Sequence, residues 1–130
     1  MLSFNIWAAL TAAASAFLLG GLWYSPALFG KAWTAHANTG EQSGHPGMVY
    51  GISFLFALVS AALFGQIVGP APELKEALGT GLLVGAGFVA ASFGINYQFA
   101  NRSTTLWLID GGYHTVQFAL YGLILGAWPS

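Results

Sequence analysis

The chain has 130 residues, 56% of them apolar and 5% charged, and its three basic and four acidic side chains leave a formal net charge of −1. A soluble domain carries about 25% charged residues, and so few charges cannot keep the exposed surface of a short chain in water, which argues against a water-soluble enzyme. Three basic side chains provide no patch for nucleic acid, and the lack of cysteine excludes disulfides, thiolate metal sites and a thiol nucleophile.

The charges fall only at Lys31, Glu41, Glu73, Lys75, Glu76, Arg102 and Asp110. Crossing a bilayer core takes about 20 consecutive apolar residues in a helix. Four stretches meet that length: Phe4 to Tyr24, Met48 to Gly69, Ala77 to Tyr97 and Leu106 to Trp128. They predict an all-α fold, an integral membrane bundle of four transmembrane helices with a longer first loop, as a single transmembrane domain over 1–130. The first span has no positively charged segment before it and reads as a retained helix, not a secretory signal. Trp7, Trp23, Tyr24, Tyr50, Tyr97, Trp107 and Trp128 mark the predicted ends, where an amphipathic ring suits the headgroup level.

In the first connection Pro26 is a natural stop for the preceding helix, and Ala27 to Ala37 suits a short amphipathic segment in the interface. Asn38 to Gly47 reads as a loop. The second connection, Gly69-Pro70-Ala71-Pro72, is a tight turn that places Glu73 and Glu76 at the positive end of the third span. Ser103 and Thr104 are candidate caps for the fourth.

Helices in lipid gain by close contact, which small residues four apart permit. Ala8, Ala12, Ala16 and Gly20 form one such stripe and Ser53, Ala57, Ala61 and Gly65 another; Gly81 with Gly85, and Gly122 with Gly126, are GxxxG pairs. On the fourth span, Asp110, His114, Gln117 and Tyr121 share a narrow polar sector. Gly111, Thr115, Ala119, Gly122 and Gly126 lie towards the other side, and Ile109, Val116, Leu120 and Leu123 form a sector suited to lipid. Hairpin geometry offers Ser92 and Asn96 as partners for the polar sector.

Four crossings put the first and third connections on one side of the membrane. Lys31, His36, Glu41, His45 and Arg102 then share a face with Asp110, and the candidate polar binding site comprises Asp110, His114, Gln117, Tyr113, Arg102, Lys31 and Asn96. Two readings follow. In one, Asp110 carries its charge beside Arg102 or Lys31 and hands a proton, or lends its field, to His114 and the Gln117 level. In the other, Asp110 pairs with Arg102 to lock the hairpin while His114 satisfies a nearby carbonyl. The spacing of His36, Glu41 and His45 matches no zinc motif, and no serine, histidine and carboxylate form a recognisable relay. No metal, cofactor or catalytic residue is expected, and the chain does not read as an enzyme.

The segments GLWYSPALFGKAW (Gly21 to Trp33), LIDGGYH (Leu108 to His114) and GLILGAW (Gly122 to Trp128) occur in order along nearly the whole chain. In them the protein resembles the small bacterial membrane proteins grouped as domain of unknown function 1761. That resemblance implies a four-helix membrane protein, carries over no catalytic residue, and draws Trp23, Tyr24, Pro26, Phe29, Gly30, Lys31, Trp33, Asp110, Gly112, Tyr113 and His114 towards one membrane face. Small multidrug transporters have a similar length but carry a glutamate in the first span, where this chain has no carboxylate.

Lys31 and Arg102, set against Lys75 and the terminal amine, favour a cytoplasmic side for the first and third connections in a bacterial inner membrane. The lipid bilayer is the expected environment, with a homodimer or a larger membrane complex as the assembly and no nucleic acid partner. Two functions compete: a small transporter- or channel-like homo-oligomer with a polar site near Asp110 and His114, or an accessory subunit packed against a larger membrane complex.

Overall fold

The computed structural model describes residues 5–37 and 46–129, and among these the regular structure is entirely helical. The helices are α1 (Ile6–Trp23), α2 (Gly30–Ala37), α3 (Pro46–Val68), α4 (Leu74–Phe99) and α5 (Thr104–Ala127). The expected four long helices are therefore joined by a fifth, short one, α2, formed by the amphipathic part of the first connection. Three helices, α1, α3 and α4, are long and apolar enough to cross a membrane.

Helix α5 has 24 residues, ample length, but Asp110, His114, Gln117 and its glycines lower its hydropathy below that of the other three. The reason is positional. It is the central helix, packed against each of the other four, and it buries nine of its residues, Asp110 and Gln117 among them. The apolar helices instead turn large side chains outward, including Leu18, Leu22, Leu55, Phe56, Leu63, Ile67, Leu83 and Phe88. Ile109, expected to face lipid, is buried, whereas Leu108 and Leu123 are exposed.

Local signals set the ends. Asn5 caps α1, its side-chain oxygen accepting from Trp7 N at 2.9 Å and Ala8 N at 3.2 Å. Ser103 caps α5 through Leu106 N at 3.1 Å. Asn101 takes the left-handed conformation (φ 57°) in the turn before it, which an asparagine tolerates better than most residues. After α1 the chain doubles back: Leu28 N and Gly30 N both donate to Ser25 O, and Phe29 N donates to Trp23 O. A Cβ on Gly30 would lie 2.3 Å from Tyr24 O, so only glycine closes this turn.

The tightest packing is between α4 and α5. A Cβ at Gly81 would meet Phe118 O at 2.2 Å, and one at Gly122 would meet Ala77 O at 2.3 Å. Gly85 and Gly126 are similarly pressed on Thr115 and Leu74, so each helix fits its glycines against the other's backbone. The alanine stripe of α1 (Ala8, Ala12, Ala16) and Ala61 of α3 are fully buried against Phe64, Phe118 and Tyr121, whose rings meet edge-on or tilted with centroids 5.1–6.2 Å apart. Within α4, Leu83–Ala90 widens to a π-helix. At its end Trp107 reaches through the space left by Gly94 and Gly111 and donates from Nε1 to Ala90 O at 2.8 Å. Trp107, expected at the interface, is thus an interhelical donor.

Replacing Gly81 by alanine is expected to cost about 1–3 kcal/mol, because backbone lies where the methyl must go. Gly79→Ala, whose methyl meets nothing within 4 Å in the chain, is expected not to destabilise it and to add up to about 1 kcal/mol through helix propensity. Unfolding of the detergent-solubilised protein by titrated dodecyl sulfate measures both; equal effects would place the α4–α5 seam elsewhere.

Candidate functional site: two polar networks on the central helix

The polar sector of α5 supplies two separate networks one helical turn apart. The upper one centres on Asp110, which is 8% exposed. Tyr24 donates to its Oδ1 at 2.6 Å, Trp33 Nε1 donates to the same oxygen at 3.1 Å, and Tyr97 donates to Oδ2. These donors come from the end of α1, from α2 and from α4, so one carboxyl group gathers three segments onto the fourth. Trp23 adds a bond from Nε1 to Ile109 O at 2.9 Å, with its ring tilted against Phe29. Tyr24, one residue past the α1 span, has its phenol pushed up by burial and then by the hydrogen bond to Asp110, which keeps it a neutral donor.

Several sequence expectations are corrected here. Asp110 is paired with neither Arg102 nor Lys31. Arg102 instead donates to Ala37 O, the free carbonyl end of α2, which is a favourable place for a cation. Lys31 is exposed on α2 beside an open hollow lined by Tyr24, Pro26 and Thr34. Ser92 and Asn96 are exposed, and α4 meets the carboxyl group through Tyr97. The aromatic donors win because their rings bury apolar surface while their tips reach inward. His36 meets Ser103 at 3.1 Å, and with the Arg102 bond this ties the first and third connections together at one end of the bundle. Glu41 and His45 lie outside the described residues; among the described residues no group of three metal-ligating side chains occurs.

The lower network runs along α5. His114 Nδ1 pairs with Gln117 Oε1 at 2.5 Å, Gln117 Nε2 donates to the Tyr121 hydroxyl at 2.8 Å, and that hydroxyl donates to Ala57 O on α3 at 3.1 Å. Tyr113, expected in the candidate polar site, donates instead to Ala16 O on α1 at 2.9 Å. Every buried side-chain polar atom among the described residues has a partner. His114 packs edge-on against Phe93 and Tyr113 and borders a cleft of about 340 Å³ between α3 and α5, flanked by Phe17, Ser53, Phe56, Ser60, Val89 and Phe118. Sequence reasoning missed Ser53 and Ser60 as cleft residues, although their spacing of seven puts them on one face of α3.

The fold and these networks define a helical bundle with three helices apolar enough to cross a membrane and hydrogen-bonded polar groups packed within it. More particularly, the chain belongs to the family described as protein of unknown function (DUF1761), whose model matches residues 7–126. No curated protein and no solved structure matches it.

Asp110→Ala would leave three half-buried donors without their acceptor and is expected to cost about 2–3 kcal/mol, whereas Trp33→Phe, which removes one donor, should cost about 1 kcal/mol. Both should speed tryptic cleavage after Lys31, since α2 loses its tie to α5. An Asp110→Ala protein as stable and as protease-resistant as the parent would show that the carboxyl group does not hold these segments.

Proposed function

We propose that the protein is a four-span integral membrane protein of the cell membrane that works as a small transporter- or channel-like homo-oligomer, with His114 and Gln117, not Asp110, lining its working site. Helix α5 counts as the fourth span on this reading. Its 24 residues reach about 36 Å, and its polar groups are shielded by α1, α3 and α4.

The observation that carries the reading is the directed chain from His114 through Gln117 and Tyr121 to Ala57 O, bordering a cleft. His114 lies ten residues into α5, about 15 Å from its start and near mid-bilayer. Polar groups are expensive at that depth and mark solute or proton pathways. Asp110, with both oxygens engaged by donors from other segments, serves as the anchor that holds the bundle around the cleft. Assembly into homo-oligomers is supported by the outer face of α4, where Gly79, Ala86 and Gly87 are exposed and let a second helix approach.

The test is reconstitution into lipid vesicles, with entrapped pyranine reporting proton flux after a pH jump and light scattering reporting entry of neutral polyols. Flux above empty vesicles is expected in one of the two assays. It should fall at least about tenfold in His114→Phe, equivalent to roughly 1.4 kcal/mol, and stay unchanged in Lys75→Gln. Vesicles that behave as empty ones in both assays, with a stoichiometric second protein retained in mild detergent, would replace transport by the accessory-subunit reading.

A further inference from the structure

The direction of the lower hydrogen-bond chain can be worked out from its far end. A backbone carbonyl only accepts, so the single hydroxyl hydrogen of Tyr121 goes to Ala57 O; turning it towards Gln117 would leave two acceptors facing one another at 3.1 Å. The Tyr121 oxygen therefore accepts from the amide nitrogen of Gln117, which leaves Gln117 Oε1 facing His114. That oxygen also only accepts, so the hydrogen of the neutral imidazole sits on Nδ1 and Nε2 carries a lone pair. Among the described residues nothing donates to Nε2, and no buried side-chain polar atom lacks a partner. The free lone pair is thus accessible, on a ring that borders the cleft.

The walls of the cleft decide what can reach it. Phe17, Phe56, Val89 and Phe118 are apolar, and along α3 the cleft is open, where Ser53 is exposed and Phe56 is 69% exposed. If α3 crosses the bilayer, as the preceding reading has it, that opening faces lipid near mid-depth. An ion arriving from there would bear the cost of a charge in hydrocarbon, at least about 2.5 kcal/mol. At Nε2 a ketone, ether or ester would bring only an acceptor to an acceptor, and could be met only by the serine hydroxyls of α3.

We propose that this cleft binds a neutral, lipid-soluble alcohol or phenol, entering sideways from the bilayer and donating its hydroxyl hydrogen to His114 Nε2. The cleft, about 340 Å³, suits the hydroxyl-bearing head of such a molecule, with the remainder of its chain left among the lipids. Ser53 and Ser60 stand at the same cleft with hydroxyls that can either donate to or accept from that head. The inference rests on the proposed membrane-embedded site and names its ligand class; it does not require that the ligand be transported.

The experiment uses the full chain in lipid nanodiscs with a diazirine-bearing dodecanol as photolabel. Unlabelled dodecanol and its methyl ether, which has the same apolar body without the donor hydrogen, serve as competitors. Labelling is expected on peptides containing Phe17, Phe56 or Val89, with dodecanol competing about tenfold better than the ether, the ratio that one net hydrogen bond supports. His114→Phe should abolish that ratio while apolar labelling persists. Val89→Trp, which fills the cleft without touching the hydrogen-bond chain, should remove labelling altogether and provides a second variant should His114→Phe fail to fold. Equal competition by alcohol and ether in the unmodified protein, or labelling spread over the outer faces of the helices, would overturn the proposal. Alcohol-selective labelling in a protein that passes nothing in the vesicle assays would keep this inference and reject transport; flux with equal competition would do the reverse.

Discussion

Everything at one end of the bundle is arranged around a single carboxyl group that has almost no access to solvent. A carboxyl group in an apolar interior must find donors, and Asp110 finds three, each from a different segment and each on an aromatic side chain. The consequence is directional. Because Tyr24 and Trp33 must both arrive at one oxygen, the chain between them has to fold back on itself, which explains the closed turn after α1 and the glycine at position 30. A lysine or arginine partner would have brought a cation into the interior; the aromatic set satisfies both oxygens while burying ring surface, which is the cheaper solution where water is scarce.

The same constraint accounts for the order of the helices. A helix carrying Asp110, His114 and Gln117 cannot face lipid, so it takes the centre, and three more apolar helices turn their large side chains outward around it. Close approach then becomes a requirement. Gly81, Gly85, Gly122 and Gly126 sit against the facing helix's backbone at distances that no Cβ allows, and α4 also brings Tyr97 to Asp110. The π-helical stretch of α4 lies along that seam, and its last carbonyl is taken by Trp107 from the facing helix. Packing and polar satisfaction therefore go together: without the glycines α4 could not lie this close, and without the donors a central polar helix would have no partners.

Much of this was legible in the chain. Charge spacing located the four long helices, the glycine and alanine stripes located their contact faces, and the period of α5 put Asp110, His114, Gln117 and Tyr121 on one side. What pattern alone did not resolve was pairing. Opposite charges attract attention, so Arg102 and Lys31 looked like partners of Asp110, whereas Trp23, Tyr24, Tyr97 and Trp107 looked like interfacial anchors. An aromatic residue at a helix end suits either a headgroup layer or an internal acceptor, and only three-dimensional placement distinguishes them. Ile109 shows the same limit: helical phase set it toward lipid, but it is buried, and Trp23 at the end of α1 donates to its carbonyl.

The two networks of α5 begin one turn apart yet end differently, and the difference lies in where each chain of hydrogen bonds stops. The Asp110 network converges: donors arrive from three sides at one group, and both of its oxygens are engaged. The His114 network runs one way, from ring to amide to hydroxyl to the α3 backbone, and a one-way chain has two ends. One end is closed by Ala57 O. The other is the imidazole of His114, which borders a cleft. Convergent networks hold structures together, whereas an open-ended one presents a defined acceptor to whatever enters, and for that reason the chemistry of this protein is sought at His114, one turn deeper than its most heavily bonded residue.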